Sequence, residues 1–112
     1  PESDARAAAR EITAYLTGLG GLAGRYRESQ PQVKTFQTRM GGTALPADGK
    51  YGAGTATAVM VNGYVPVAPY YWSATNTAAK KAAFITLVKN YAAADPQRKA
   101  AWDKLLADTI RS

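Results

Sequence analysis

Eight carboxylates, with no histidine and no cysteine, set the chemistry open to this 112-residue sequence. Hydrolysis of a glycosidic bond needs one acid and a second carboxylate at a fixed separation. The candidates are Glu2, Asp4, Glu11, Glu28, Asp48, Asp95, Asp103 and Asp108. Most of them stand where a helix start or a solvated helix face accounts for them. Glu11 and Glu28 are left as a formal pair, but nothing in their spacing brings them together. Amidase or peptidase chemistry ordinarily takes a zinc ion or a Ser/Cys–His arrangement, and neither is built in its common form without histidine or cysteine. The expectation is a non-enzyme that carries no cofactor and no metal.

The densest polar motif is Asp48-Gly49-Lys50-Tyr51-Gly52-Ala53-Gly54-Thr55. Gly49 and Gly54 have the spacing of a phosphate loop, yet Thr55 follows where that loop needs lysine. Gly52-Ala53-Gly54 lacks the third glycine of a dinucleotide fingerprint, and no strand precedes it. A turn is what remains. Gly49 takes a positive φ without a Cβ clash, and the Asp48 carboxylate accepts nearby backbone amides. Tyr51 buries its ring, Gly52 lets a neighbouring backbone pass close, and the Thr55 hydroxyl caps the next helix. Farther along, Tyr64, Tyr70, Tyr71 and Trp72 offer ring faces that either stack on sugars or cover a helical core. Tyr26, between Arg25 and Arg27, reads as part of a solvated loop.

The elements that must position these residues are helical. Alanine makes up much of the 46% hydrophobic fraction and favours helix, while 20% charge argues against disorder. A first helix is expected over 3–17, capped by Ser3 or Asp4 and ended by Gly18, Gly20 and Gly21. Its stripe is Ala5, Ala8, Ala9, Ile12, Tyr15, Leu16 and Leu19. A second helix over 31–40 starts on Pro31 and turns Val33, Phe36, Gln37 and Met40 to one side, with Gly41-Gly42 closing it. A third runs from Thr55 to Asn62-Gly63. Pro66 and Pro69 then forbid a helix interior, so residues 64–72 form an extended aromatic strap. A long helix over 75–93 carries Phe84, Ile85, Val88, Tyr91 and Ala92 on one face. Asp95 caps a final helix over 96–110 with Trp102, Leu105, Leu106, Thr109 and Ile110. The fold class is all-α, a compact single-domain bundle of about five helices with an extended Pro/aromatic segment.

In order, the landmarks are Val33-Lys34-Thr35-Phe36-Gln37, the Asp48–Thr55 motif, and Ala58-Val59. Together they match the loose pattern V-x-x-(L/F)-Q, spacer, D-G-x-(F/Y)-G-x-x-T, A-V. That order resembles the small helical peptidoglycan-binding domain family found beside cell-wall hydrolases. The likeness covers a core over 30–63, about a quarter of the chain in its motifs, with helical extensions over 1–19 and 74–112 outside it. It implies a non-catalytic module holding a longer protein or a virion against the wall. Gln37, Asp48 and Tyr51 would shape a groove between the second and third helices, where Arg39 or Lys50 meets muropeptide carboxylates. The alternative is an assembly module of a phage particle or surface complex, using its C-terminal helices for protein contacts.

A net charge of +6 and a pI near 9.7 favour acidic partners such as peptidoglycan or another anionic wall polymer. The cations are spread thinly, without a block of five like charges, so nucleic acid is an unlikely partner. No apolar run approaches the ~20 residues that span a bilayer. The chain opens on Pro1, as a processed protein or a piece of a longer one would. An extracellular or periplasmic wall location, or a virion, follows from the resemblance.

Overall fold

The computed structural model describes residues 2–20, 26–40 and 45–112. Among these, five α-helices and one 3₁₀ turn form an all-α fold without β-strands. Helix α1 spans Asp4–Gly18, and the Ser3 hydroxyl accepts the Arg6 amide at 3.1 Å to cap it. Ala8, Ala9, Ile12 and Leu16 recur at helical spacing and are buried. Gly20, at φ +63°, turns the chain out of the helix end. Helix α2, Pro31–Met40, begins on the expected proline and buries Val33, Phe36 and Gln37. Gly21, Arg25 and Gly41-Gly42, all given roles above, lie outside the described residues.

Helix α3, Ala53–Val61, starts two residues earlier than expected. Gly52 occupies its cap position in an extended conformation and makes no side-chain cap. Thr55 is therefore not the cap. It lies inside the first turn, 2% exposed, and its hydroxyl serves another purpose described below. Helix α4, Thr77–Ala93, buries Phe84 and Val88, with Ile85, Leu87, Tyr91 and Ala92 half-buried. A 3₁₀ turn over Pro96–Arg98 then leads into α5, Lys99–Arg111. Proline removes a donor the first turn does not need, but the tight turn delays the α-helix to Lys99. The Asp95 side chain does not cap a backbone amide there.

Helix α1 packs on α2, α4 packs on α5, and α3 lies between the pairs, touching both α1 and α4. One buried cluster draws side chains from all five helices, including Leu16, Phe36, Val59, Phe84 and Trp102. Met40, expected in the core, is half-buried at its edge, and Ile85, also expected there, is half-buried. Tyr26 belongs to the core, contrary to the solvated loop expected for it. It is 2% exposed, and its hydroxyl donates to the Leu16 carbonyl at 2.8 Å, which satisfies its one polar group.

The strap is extended, as its prolines require, and is held by backbone. The Tyr71 amide donates to the Tyr51 carbonyl at 3.2 Å, and Gly52 and Tyr71 form an isolated parallel bridge. A Cβ on Gly52 would stand 3.0 Å from the Tyr71 carbonyl oxygen, so only glycine permits this approach without displacement. Tyr51, wholly buried, donates its hydroxyl to the Val67 carbonyl at 2.7 Å. Tyr26 stacks on Tyr70 with ring centroids 4.9 Å apart. The strap thus lies across the helices with aromatic contacts beneath it and a helix start beside it.

Candidate functional site

The motif turn is built around one buried amide. Gln37, on α2 and 2% exposed, donates through Nε2 to Asp48 Oδ1 at 3.1 Å, to the Lys50 carbonyl at 3.2 Å and to Thr55 Oγ1 at 3.0 Å. Its Oε1 accepts the Gly49 amide at 2.8 Å. Asp48 Oδ1 also accepts the Lys50 amide at 2.9 Å, the turn contact that aspartate makes with its own backbone. Gly49 has φ +76°, and a Cβ there would clash with Ser29 Oγ and stand 2.9 Å from the Gln30 amide nitrogen. The Gln30 amide in turn donates to the Gly49 carbonyl at 2.9 Å. The family-like landmarks Gln37, Asp48, Gly49 and Thr55 are therefore one hydrogen-bonded unit. Buried amides are costly unless satisfied, and here both ends of Gln37 are.

That unit forms one wall of a groove of about 450 Å³. Asp48 and Lys50 line it from the turn, Gln37 from α2, Thr57 from α3, Tyr71 and Trp72 from the strap, Ser73 just after it, and Lys80 from α4. Leu45, Phe84 and Leu87 add apolar surface. The Lys50 ammonium stands 4.9 Å from the Tyr71 ring centroid. Trp72 meets Phe84 edge-on at 6.3 Å, and its indole N–H donates to Ser112 Oγ at 3.1 Å, which fixes the ring. Lys81, next to Lys80, lies 5.9 Å from the Trp72 ring centroid and donates to the Ser112 carbonyl.

Charge is unevenly placed around this groove. Elsewhere several cations have carboxylate partners, Arg10 with Glu2 at 3.1 Å, Arg39 with Glu11 at 3.0 Å, Lys99 with Asp103 and Lys104 with Asp108 at 2.6 Å, while Arg6 and Arg27 reach backbone carbonyls instead. Lys50 and Lys80, the two lysines that line the groove, have no ion pair among the described residues, and Asp48 is the one carboxylate lining it there. An apolar, aromatic groove rimmed by unpaired ammonium groups suits a ligand that is part ring and part anion.

Of the residues expected at a site, the structure brings Gln37, Asp48 and Lys50 together and leaves two apart. Tyr51 lies beneath the groove, with its ring wholly buried. Burial, and then the neighbouring Tyr26 and Tyr70, push its phenol well above the usual range, so it stays a neutral donor to Val67. Arg39 points to another face, where its pairing with Glu11 ties α2 to α1 beside a smaller cleft of about 260 Å³. That ion pair also gives Glu11 a structural partner. Lys80 and Ser73 went unmarked as site residues, because no local spacing connects α4 or the strap end to a turn some thirty residues away. Comparison of the chain with protein-family models, curated proteins and solved structures returned no significant match.

Proposed function

We propose that this chain is a non-catalytic module that binds the bacterial cell wall, peptidoglycan or the anionic polymer attached to it. It would work in a larger protein or a virion at the wall face. The observation that carries this reading is the meeting of the wall-binding-like turn with Tyr71, Trp72, Lys50 and Lys80 in one groove. Aromatic faces pack on the C–H faces of sugar rings, and the lysines match muropeptide carboxylates. Binding is favoured over bond cleavage because glycoside hydrolysis takes two carboxylates. The groove's Asp48 already accepts two hydrogen bonds through Oδ1.

Sedimentation with purified sacculi at low and raised salt tests the reading. The +6 charge alone gives binding that fades as salt screens it beyond about 8–10 Å. A groove-bound ligand leaves a salt-resistant share that Tyr71→Ala and Lys80→Gln weaken. A single-stranded oligonucleotide is the parallel arm, since aromatic and basic grooves also bind such strands. Preference for the oligonucleotide, or loss of all sacculus binding with salt, would sink the wall reading.

A second reading, an assembly module contacting protein through its C-terminal helices, has one observation in its favour. The solvent face of α4 carries Ala79, Ala82 and Thr86, three uncharged and exposed residues outside the groove lining. Salt-independent self-association or partner capture without sacculus binding would favour it.

A further inference from the structure

Tyr71 is the fixed member of its pair with Lys50. Its amide donates to the Tyr51 carbonyl at 3.2 Å, and its Cδ2 stands 3.3 Å from where a Cβ on Gly52 would be. Lys50 is held only through its backbone: its amide donates to Asp48 and its carbonyl accepts from Gln37. Its ammonium, on a flexible four-carbon stem, lies over the Tyr71 ring at 4.9 Å without a carboxylate partner. A ring face suited to a sugar is thus occupied by the protein's own cation, inside the groove that both residues line.

Resting on the wall-binding reading, we propose that Lys50 is a movable cover over Tyr71 that a carboxylate-bearing ligand lifts and a neutral glycan does not. The anion draws the ammonium off the ring and is held jointly by Lys50 and Lys80, leaving the Tyr71 face open to the adjoining sugar. A charge-assisted hydrogen bond outweighs a cation over a partly exposed ring, so the exchange runs toward the ligand. A neutral sugar must displace Lys50 with no such return. The groove then selects acidic wall fragments twice over, through charge and through access to the ring.

Calorimetric titration of the full chain with a muramyl tripeptide and with neutral tetra-N-acetylchitotetraose separates the two contributions. Lys50→Ala is expected to weaken the tripeptide at least about fivefold and to tighten the chitotetraose about two- to fivefold, the affinity equivalent of the lost cation–ring contact. Lys50→Arg keeps a cation for ring and anion and is expected to restore the wild-type order. Lys50→Gln, with the same expected signs, serves if the alanine variant melts early. Lys34→Ala removes an equal charge on α2, away from the groove lining, and is expected to change neither titration. Effects of the same sign on both probes, or no effect on either, overturn the cover while leaving wall binding intact if the wild type takes the tripeptide. Wild-type failure to bind both probes removes the peptidoglycan reading, and the cover with it.

Discussion

At Asp48 the carboxylate folds back on its own loop, accepting the Lys50 amide and the buried Gln37 amide, and the turn becomes part of the interior. At Asp95 the carboxylate reaches forward instead. It accepts the Trp102 indole N–H at 3.0 Å and the Arg98 guanidinium at 2.5 Å, at the surface corner between α4 and α5. Both positions are an aspartate followed by a turn-forming residue, Gly49 in one case and Pro96 in the other. The glycine allows a positive φ that exposes a backbone amide to a distant side chain. The proline removes that amide and leaves the carboxylate to side chains one and two helical turns on. The first arrangement stores its stability in satisfied buried groups, the second in the packing of a ring that the carboxylate merely orients.

Four substitutions break or sharpen this contrast. Trp102→Ala has the largest expected effect, about 3–5 kcal/mol by chemical denaturation, because a 2%-exposed indole leaves a cavity at the α4–α5 corner. A loss under about 1 kcal/mol would mean the corner does not depend on that ring. Gln37→Leu keeps the volume but strands the Gly49 amide and the Thr55 hydroxyl, and about 2–4 kcal/mol should be lost. Groove binding should fall with it, whereas Trp102→Ala should leave residual binding by the folded fraction unaltered. Gly49→Val forces a β-branched residue to φ +76° against the Gln30 backbone, for about 1–3 kcal/mol from the backbone strain alone. If the valine variant melts with wild type, the turn does not need its left-handed residue.

The smallest effect is in acid. The hydrogen bond from Trp102, and then the one from Arg98, hold the Asp95 carboxyl below its ordinary value; Lys104 does the same for Asp108, and Arg10 for Glu2. Each such group adds stability above its unfolded pKa, about 4 for a carboxylate, and loses it as pH falls through the lowered folded value. Melting temperature should therefore decline below about pH 4, and Asp95→Asn should make that decline shallower without removing it. Equal slopes for the two proteins would show the Asp95 contact to be energetically idle.

Features decided within a few residues were legible beforehand. The Ser3 cap, the Pro31 start and the Asp48-Gly49 turn follow from local backbone chemistry and stand where they were expected. Thr55 has the look of a cap because it stands before an apolar run, yet it lies inside the first turn of α3. Its partner is Gln37, eighteen positions earlier, and no local rule reports that. Arg39 was assigned to a groove on the strength of its helix, but its rotation on α2 turns it toward Glu11 of α1. Tyr26 was placed in solvent because of its charged neighbours, whereas its ring answers to Tyr51 and Tyr70. Lys80 joins the groove only because α3 seats α4 against the turn, a packing fact that periodicity does not carry.

The single backbone bridge between Gly52 and Tyr71 acts as a mounting bracket. Because the attachment is main chain to main chain, the side chains at 71 and 73 can be exchanged without unfastening the strap, whereas Trp72 is also tied to Ser112 and packs on Phe84. A shift of one residue in that attachment would instead invert which ring faces inward. If the groove binds as proposed, its ligand preference could drift by replacing a few strap residues while the helices stay fixed, and a designer could graft new recognition onto the same bracket. Gly52 itself is a constrained position in such drift, since a Cβ there would stand 3.0 Å from the Tyr71 carbonyl oxygen and the strap would have to give by a few tenths of an ångström.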